Sequence, residues 1–378
     1  MKIVVAPDSF KESMSALEAG RAIESGIRRV WPAAEVICLP MSDGGEGLVR
    51  VLAPALGGQL AEATVTDALG RPCRAAYGWS AEQRLAVIEV AEAVGLQQVP
   101  PAERLPLRAS TEGVGELVRA ALDHGATRVV VGLGGSATTD GGTGMLRALG
   151  MRFLDAGGIE LSPGGGELGR LDRIDASGLD LRLAGVRFEV ASDVDNPLLG
   201  RRGAAAIFSP QKGATPEQVD HLDRCLGRFA ALAAADGPDL SERPGAGAAG
   251  GLGFAFLRYL DATIRPGVDT VIEATGFEDA MAGADYVFTG EGSIDAQSSA
   301  GKAPWGVAIR AAQRGIPVVG FGGRVSIDAA DSPFSAVVPI VRGLSSLDEA
   351  LRDGPANLEL AAELTCRLLA AGGRLAAS

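Results

Sequence analysis

The sequence has only two histidines and four cysteines among its 378 residues. A Ser-His-Asp hydrolase or a histidine-rich zinc site therefore has almost no material to draw on. We interpret His124 and His221 as surface residues. The cysteines are widely scattered and include no Cys-x-x-Cys pair, which favours reduced thiols in a cytoplasmic protein. The remaining polar chemistry must rest on Asp, Glu, Lys, Ser and backbone amides.

The sequence also lacks an excess of basic charge and any long hydrophobic run. Its 35 Lys and Arg residues face 47 Asp and Glu residues, which gives a net charge of −12. Nucleic acids and anionic membranes bind basic surfaces, so neither is an expected partner. The apolar start at residues 3–6 stops at Pro7, and no stretch is long enough to span a membrane, so neither a signal peptide nor a membrane anchor is predicted. We expect a small-molecule ligand; the sequence leaves open whether the chain forms a homo-oligomer.

Glycine is abundant, with 53 residues in clusters that show no collagen period. One cluster, Gly132–Gly142, follows a run of β-branched residues that predicts a buried strand and precedes an apolar helical pattern that ends at Gly150. In α/β proteins a strand, a glycine loop and a helix often hold phosphate, because free N–H groups and the helix dipole favour an anion.

This loop carries the first candidate binding residues. Gly134 and Gly135 offer backbone N–H groups, and Ser136 offers a hydroxyl, to phosphate oxygens. Asp140 fits a helix N-cap or a ligand to a metal bound with the phosphate. The alternative is purely steric: the glycines only permit a tight turn between strand and helix.

A nicotinamide dinucleotide site is a second alternative for the same loop. Gly132–Ala137 loosely matches the glycine fingerprint of such sites, and Asp155 stands at about the spacing of the acidic residue that binds ribose. That acidic residue should end a parallel strand, whereas Asp155 begins a sequence typical of a hairpin turn. An oxidoreductase acting on a small hydroxy acid therefore remains the alternative function.

Two N-terminal loops add further candidates. Ser9 and Lys11 follow the first predicted strand at its carboxyl end, where ligands bind in open α/β sheets. Residues 43–46, Asp-Gly-Gly-Glu, follow the second strand and precede a helix, so Asp43, Gly44, Gly45 and Glu46 are candidates for binding substrate or phosphate. Lys11 is either a phosphate contact or a solvated lysine beside a helix cap.

The middle of the chain supplies a candidate general base and a second lysine. Asp193 follows a predicted strand, where its carboxylate can accept the proton of an attacking hydroxyl. Asn196 lies in the same polar run. Lys212, with Gln211 before it, is a second candidate phosphate contact. Residues 244–253 are so rich in Gly and Ala that they predict either N–H groups lining a nucleotide pocket or a hinge between domains.

The last third contains acidic and basic candidates. Glu291 and Asp295 are candidate Mg²⁺ ligands, because this ion usually takes one or two carboxylates together with substrate phosphates. Lys302 follows Gly301, yet the pair does not complete a P-loop, since position 296 is Ala where Gly is required. At a predicted helix start, Lys302 is still a candidate anion contact.

The order of predicted strands indicates the architecture. Two strands are predicted before residue 62, at 2–6 and 36–39, and three after residue 265, at 286–288, 318–321 and 336–340. Together they predict one doubly wound parallel sheet. Short strands joined by turns follow residue 62, as in hairpins. We therefore predict an α/β protein with a discontinuous domain, residues 1–62 and 265–378, interrupted by an inserted mixed α/β domain, residues 63–264. Such an insertion creates a cleft, the usual place for a small-molecule site.

Taken together, these motifs resemble the bacterial-type glycerate kinases, a family that includes the glyoxylate- and glucarate-pathway enzymes. The matching stretches occur in the family's order, cover nearly the whole chain, and comprise residues 6–13, 43–47, 134–142, 193, 196–198, 210–214, 244–251, 289–295 and 301–302. Thr139 and Ser209 depart from the pattern, which usually has Asn at the first position and Gly at the second.

The resemblance implies ATP-dependent phosphorylation of D-glycerate with Mg²⁺, with 2-phosphoglycerate as the product, and a flavodoxin-like domain interrupted by a second α/β domain. In this interpretation Asp193 is the base, while Lys11 and Lys212 bind the glycerate carboxylate or the transferring phosphate. Glu291 and Asp295 hold the metal. The other substrate- or phosphate-binding candidates are Ser9, Asp43, Gly44, Gly45, Glu46, Gly134, Gly135, Ser136, Asp140, Asn196, Gln211 and Lys302.

Overall fold

The structure is a computed structural model that describes residues 1–45, 47–295, 302–326 and 332–376, the last four of these by their backbone only. Its α-helices are α1 (Ala16–Val30), α2 (Leu48–Ala55), α3 (Val90–Val94), α4 (Glu112–Asp123), α5 (Thr143–Ala148), α6 (Ala204–Phe208), α7 (Pro216–Ala235), α8 (Ala248–Tyr259), α9 (Gly267–Thr275), α10 (Phe277–Ala280), α11 (Ala303–Gln313), α12 (Leu347–Arg352) and α13 (Gly354–Ala376). Within these ranges, no helix combines the length and the apolar character needed to cross a membrane.

The strands are β1 (Lys2–Val5), β2 (Glu35–Cys38), β3 (Gln59–Thr66), β4 (Pro72–Ser80), β5 (Leu85–Glu89), β6 (Arg128–Gly132), β7 (Arg152–Leu154), β8 (Arg173–Asp175), β9 (Arg187–Ala191), β10 (Thr263–Arg265), β11 (Tyr286–Asp295), β12 (Val318–Ser326) and β13 (Ala336–Pro339). They form a five-stranded sheet, a six-stranded sheet and the small β7–β8 pair.

The five-stranded sheet belongs to a compact unit formed by Met1–Asp43 and Gly267–Ser378, which we call the flavodoxin-like unit. Its strand order is β13-β12-β11-β1-β2, and each neighbouring pair is parallel. In chain order this is the 2-1-3-4-5 arrangement of flavodoxin-like folds, with a long insertion between the second and third strands. The predicted α/β class, a doubly wound parallel sheet interrupted by a second α/β region, is confirmed.

Apolar side chains on the strands and on α1 build the core of this unit. Ile3, Phe288 and Phe321 come from neighbouring strands and are fully buried, as are Ile23 and Ile27 on one face of α1. The helix begins with a capping box and spaces its apolar residues at helical intervals, so its inward face is set by the sequence itself.

Strand β11 is longer than predicted. The sequence suggested a strand at 286–288 followed by a glycine-rich loop, whereas pairing with β12 continues to Asp295. The glycines serve close packing instead of a turn: a Cβ on Gly290 would lie 2.5 Å from the carbonyl oxygen of Phe321 and 3.1 Å from the ring of Phe10. A glycine-rich strand of this kind carries no period-2 pattern that a sequence interpretation could detect.

The second compact unit, Gly44–Pro266, is the inserted unit. Its sheet has the order β10-β9-β6-β5-β4-β3. The strands from β10 to β5 pair in parallel, and β5, β4 and β3 pair antiparallel, so the sheet is mixed as expected from the hairpin-like sequence after residue 62. Its apolar core includes Val131, Phe188 and Phe256, all with at most 1% of their surface exposed.

The first boundary between the units lies before α2 and not at residue 62. The sequence prediction places the helix after Asp43 in the first domain, because the hairpin-like sequence begins only near residue 62. In the structure α2 packs against β4 and β5, with Ala53 beside Gly78. The second boundary, at Pro266, lies close to the predicted position 265.

Candidate functional site

The carboxyl ends of three parallel strands meet at one edge of the inserted unit. Glu89 at the end of β5 is paired with Gly132 at the end of β6, which is in turn paired with Ala191 at the end of β9. The loop after β6 and the loop after β9 therefore leave the sheet side by side, and the Leu133 N–H donates to the Ala191 carbonyl at 3.2 Å. This edge brings together the loops that contain Ser136 and Asp193.

The turn at Gly44-Gly45 lies directly on this edge. A Cβ on Gly132 would lie 2.5 Å from the carbonyl oxygen of Gly44, and one on Gly134 would lie 2.5 Å from the Cα atom of Gly45. Two backbones can approach so closely only where neither carries a side chain. Three predicted binding glycines thus meet, and a steric reason accounts for Gly134. Glu46, another predicted residue, lies outside the described residues.

Sequence reasoning missed Glu89. Only 3% of its surface is exposed, and its carboxylate accepts the N–H of Gly47 at 3.0 Å and of Val49 at 3.4 Å. These N–H groups lie at the start of α2, so the Glu89 carboxylate caps the helix that follows the candidate residues 43–46. The only available signal was an acidic residue at the end of the apolar run Leu85–Ile88.

Asp140 is buried and accepts hydrogen bonds from neighbouring residues of the inserted unit. It has no exposed surface, and its carboxylate accepts the N–H and hydroxyl of Thr111 at 2.8 and 2.9 Å, the N–H of Gly142 at 3.0 Å and that of Gly144 at 3.1 Å. Burial raises the pKa of this carboxyl, and the backbone donors lower it in part. Asp140 lies two residues before the N-cap of α5, which is Gly142, but its carboxylate accepts N–H groups at the start of this helix. Both carboxylate oxygens of Asp140 therefore accept hydrogen bonds from the protein, which indicates a structural role.

Lys212 is buried beside the glycine loop. Only 3% of its surface is exposed, and its ammonium donates to the Ser136 hydroxyl at 3.0 Å and to the Thr138 carbonyl at 2.5 Å. Desolvation lowers the pKa of Lys212 from its ordinary 10.5 to about 7, although the carboxylate of Asp140 opposes this change. Two residues predicted separately, Ser136 and Lys212, are therefore in direct contact.

The same loop contains a polar atom without a hydrogen-bond partner. The Thr138 hydroxyl is fully buried, and no partner for it occurs within the part of the chain that the structure describes. A buried hydroxyl without a partner is destabilising, because it has lost its hydrogen bonds to water. It belongs to the residue whose backbone carbonyl accepts from the buried ammonium of Lys212.

The two positions that depart from the family pattern are in contact. The hydroxyls of Thr139 and Ser209 lie 2.9 Å apart, and neither residue has exposed surface. Ser209 precedes the 3₁₀ turn Pro210–Lys212. Each departure therefore supplies the hydrogen-bond partner of the other.

The glycine- and alanine-rich residues 244–253 pack against the same loop. The Gly250 carbonyl accepts the Gly141 N–H at 3.0 Å, and a Cβ on Gly250 would overlap the carbonyl oxygen of Thr138. Ala249, Gly250 and Gly251 all have positive φ angles, which turn the chain sharply here. This stretch lies within the inserted unit, so the hinge alternative is wrong, and close packing explains its small side chains.

Three further predicted residues of this unit lie outside its α-helices and β-strands. Asp193 is half-buried just after β9. The Asn196 side chain donates to the Arg202 carbonyl at 2.7 Å, which fits a structural role in its turn. Gln211 is exposed, and its carbonyl accepts from Arg104 at 2.9 Å.

In the flavodoxin-like unit, acidic side chains gather where β1 and β11 diverge, the switch point of this sheet. Asp8 follows β1, and only 8% of its surface is exposed. Burial raises the pKa of Asp8 well above its ordinary value, and the charges of Asp43 and Glu291 raise it further. The predicted residue Ser9 donates its N–H to Asp8 at 2.6 Å. Lys11, also predicted here, is exposed.

Glu291 and Asp295 do not form the predicted pair of metal ligands. They lie four residues apart on β11, and an extended strand separates such positions by about 13 Å, too far for two carboxylates to bind one ion. Glu291 forms an ion pair with Lys302 at 3.0 Å, and Asp295 accepts from the Ser293 hydroxyl at 3.0 Å. Among the described residues, no group of three or more His, Cys, Asp or Glu could hold a metal.

Asp155 argues against a nicotinamide site. Its carboxylate accepts the N–H groups of Gly157 at 2.9 Å and Ile159 at 3.0 Å, as expected for the predicted turn. It follows β7, which pairs antiparallel with β8. The acidic residue of a dinucleotide fingerprint ends a parallel strand, so the oxidoreductase alternative is not supported.

Comparisons with known proteins agree along the whole chain. The model of the glycerate kinase family matches residues 3–370. A glycerate kinase of Bacillus subtilis is 49% identical over 380 residues, covering 100% of this chain and 98% of that protein. A glycerate 2-kinase of Escherichia coli is 43% identical over 378 residues, covering 99% of each. The crystal structure of a proposed glycerate kinase 2 from Salmonella typhimurium LT2 matches with a TM-score of 0.88 and 46% identity, covering 99% of both chains.

Proposed function

Because this chain belongs to the glycerate kinase family, we propose that it transfers the γ-phosphate of ATP to a hydroxyl of D-glycerate, with Mg²⁺ and with 2-phosphoglycerate as the product. One observation carries the proposal. The buried ammonium of Lys212, in the turn Pro210–Lys212, donates to the loop after β6, and that loop also carries the Thr138 hydroxyl, which has no hydrogen-bond partner among the described residues. The loop leaves the carboxyl end of a strand in the parallel part of the inserted unit's sheet. The name of the 43% identical glycerate 2-kinase supports phosphorylation at carbon 2.

A bound anion would provide a hydrogen-bond acceptor for the Thr138 hydroxyl and a negative charge for the Lys212 ammonium. A carboxylate or phosphate oxygen can accept from the Lys212 ammonium, from the Ser136 hydroxyl that this ammonium contacts, and from the Thr138 hydroxyl of the same loop as Ser136. The anion would also offset the desolvation that disfavours the ammonium. We assign these three residues to the glycerate carboxylate or the transferring phosphate.

Asp193 is the proposed general base. It follows β9 at the same sheet edge as the loop that contains Ser136, and its residue is half-buried. In phosphoryl transfer the base accepts the proton of the attacking hydroxyl, here the 2-hydroxyl of glycerate. The neighbouring Asp195 forms an exposed ion pair with Arg202 at 3.0 Å, which leaves Asp193 as the better placed carboxylate.

The acidic residues at the switch point of the flavodoxin-like unit fit Mg²⁺. One or two of Asp8, Asp43 and Glu291 would provide hard oxygen donors. Burial raises the pKa of Asp8, the charges of Asp43 and Glu291 raise it further, and a divalent cation would relieve that repulsion. Mg²⁺ commonly takes only one or two protein carboxylates and fills its other positions with phosphate and water, so a three-residue cluster is not required. When bound, it neutralises phosphate charge. Lys302, held by Glu291, and the exposed Lys11 are proposed phosphate contacts of this unit.

A coupled assay of ADP release tests the proposal. Purified protein with ATP, Mg²⁺ and D-glycerate should release ADP, whereas omission of D-glycerate, or its replacement by D-lactate, which lacks the 3-hydroxyl, should lower the rate at least about tenfold. Incubation with D-glycerate and NAD⁺ should produce no NADH. Glycerate-dependent NADH without ADP release would contradict the proposal and favour the oxidoreductase alternative.

A further inference from the structure

Two buried hydroxyls connect the loop after β6 to the turn that carries Lys212. Thr139 Oγ1 and Ser209 Oγ lie 2.9 Å apart, and both residues are fully buried. The Ser209 carbonyl also accepts the N–H groups of Lys212 at 3.0 Å and Ala214 at 3.1 Å. Ser209 thus holds the turn through its backbone and the neighbouring loop through its side chain.

Lys212 makes a second connection between the same two segments. Its ammonium donates to Ser136 and to the carbonyl of Thr138, the residue before Thr139. The two connections differ in one respect. The charged ammonium attracts ligand oxygens, which can use its third N–H group or compete with its two protein partners, whereas the hydroxyl pair contains no charge that an anion would attract.

We propose that the Thr139–Ser209 hydroxyl pair is a positioning contact that fixes the turn Pro210–Lys212 against residues 136–139, so that Lys212 can turn from its protein partners to a bound anion without displacement of its backbone. This inference rests on the anion-binding role proposed for Lys212. Without the hydroxyl pair, the turn Pro210–Lys212 is attached to residues 136–139 through the hydrogen bonds of the Lys212 ammonium. Ligand binding changes those same hydrogen bonds.

The small number of lysines allows a direct test. The chain has four, Lys2, Lys11, Lys212 and Lys302, and acetylation of each can be followed by peptide mass spectrometry in the full-length protein. Lys2 is the internal reference, since its exposed ammonium donates to the Ala282 carbonyl, away from residues 136–139 in the sequence. In Thr139→Val and Ser209→Ala the Lys212-to-Lys2 acetylation ratio should increase at least about threefold, because a loosened turn exposes a buried amine.

The double variant and the conservative variant separate positioning from general stability. Thr139→Val leaves the Ser209 hydroxyl buried without a partner, and adding Ser209→Ala removes that hydroxyl. We expect the worse single variant to lose about tenfold in kcat/KM for glycerate, and the double variant should lose no more than that. Thr139→Ser keeps the hydroxyl, so both its Lys212-to-Lys2 acetylation ratio and its kcat/KM for glycerate should match those of the wild type. Thr365→Val, which removes a hydroxyl bonded within α13, should change neither.

The outcomes are distinguishable. An acetylation ratio unchanged in folded Thr139→Val and Ser209→Ala, or losses of kcat/KM that simply add in the double variant, would overturn the positioning contact. If Thr139→Val does not fold, Ser209→Ala and Thr139→Ser still give the comparison. Absence of glycerate-dependent ADP release from the wild type would instead refute the proposed function, and the acetylation ratio would still decide whether the hydroxyl pair holds Lys212.

Discussion

Lys212 Nζ donates to the hydroxyl of Ser136 at 3.0 Å, although 76 positions separate the two residues in the chain. The contact joins the turn before α7 to the glycine loop after β6, and it buries the ammonium almost completely. A buried ammonium with only neutral oxygens as hydrogen-bond partners is poorly compensated for its lost hydration. This arrangement supports the anion-binding role proposed for Lys212.

Removal of this ammonium should abolish most activity. Lys212→Met keeps the length of the side chain and removes its charge, so kcat/KM for glycerate should decrease about 100-fold or more, as for loss of one preorganised donor at a reacting oxygen. Lys2→Met is the matched control, because Lys2 also donates to a carbonyl but is exposed. Steady-state kinetics check this; a Lys212→Met enzyme within threefold of Lys2→Met would exclude the assigned role.

The pH dependence of catalysis should reflect Lys212. Burial lowers its pKa to about 7, with Asp140 as the charged group that opposes the change. Only the ammonium attracts an anion, so kcat/KM for glycerate should decrease as pH rises above about 7, whereas kcat should decrease only at higher pH, since a bound anion stabilises the ammonium. Profiles of both constants measure this. Identical alkaline limbs for kcat and kcat/KM would show that another group is titrating.

The pH dependence of stability has the opposite direction. Because the pKa of Lys212 is lower in the folded chain than its ordinary 10.5, the unfolded chain binds more protons between about pH 7 and that value. The contribution of Lys212 to the free energy of unfolding should therefore increase as pH rises through this window. Urea denaturation of wild type and Lys212→Met measures the difference at each pH. A difference that stays constant through the window would contradict the lowered pKa.

Asp193 should matter for turnover and not for folding. Asp193→Asn removes the base and nearly preserves shape, so kcat should decrease about 10²- to 10⁴-fold. Asp195→Asn is the control, since 75% of the Asp195 side chain is exposed and its partner Arg202 is exposed as well. Circular dichroism and thermal unfolding should match wild type for both. Near-normal turnover of Asp193→Asn would remove this residue from the base role.

Gly134 should be required for the close approach of two backbones. A Cβ there would lie 2.5 Å from the Cα atom of Gly45, so Gly134→Ala should lower the free energy of unfolding by about 1–3 kcal/mol through overpacking. Gly185→Ala is matched, because a Cβ there meets open space. Chemical denaturation gives both values. Equal stability of the two variants would place the importance of Gly134 in ligand binding alone.

The five-stranded sheet could be predicted because short stretches of the sequence identify its strands and the helices between them. Short apolar runs at residues 2–6, 36–39 and 318–321 each precede or follow a helical pattern, and the right-handed rule for parallel connections leaves few alternative arrangements. The length of β11 could not be predicted from the sequence, because Gly290 and Gly292 break the apolar alternation that identifies a strand.

The loops that form the candidate site could be predicted from the sequence, but the contacts between them could not. The residue types of Ser136 and Lys212 indicated anion binding separately, but no periodicity connects positions so far apart in sequence. The same holds for Thr139 and Ser209, which are 70 positions apart, and for Glu89, which caps a helix 40 positions before it. Asp140 offered both of its possible roles in the sequence, and only its four donors distinguish them.

The central claim, phosphate transfer from ATP to glycerate, is tested most directly by nuclear magnetic resonance of the complete reaction. With [2-¹³C]-D-glycerate, ATP, Mg²⁺ and wild-type protein, we predict a new phosphomonoester signal coupled to carbon 2, which increases in step with ADP. Unchanged glycerate and ATP under these conditions would contradict the account as a whole, and a phosphomonoester on carbon 3 would contradict the proposed product.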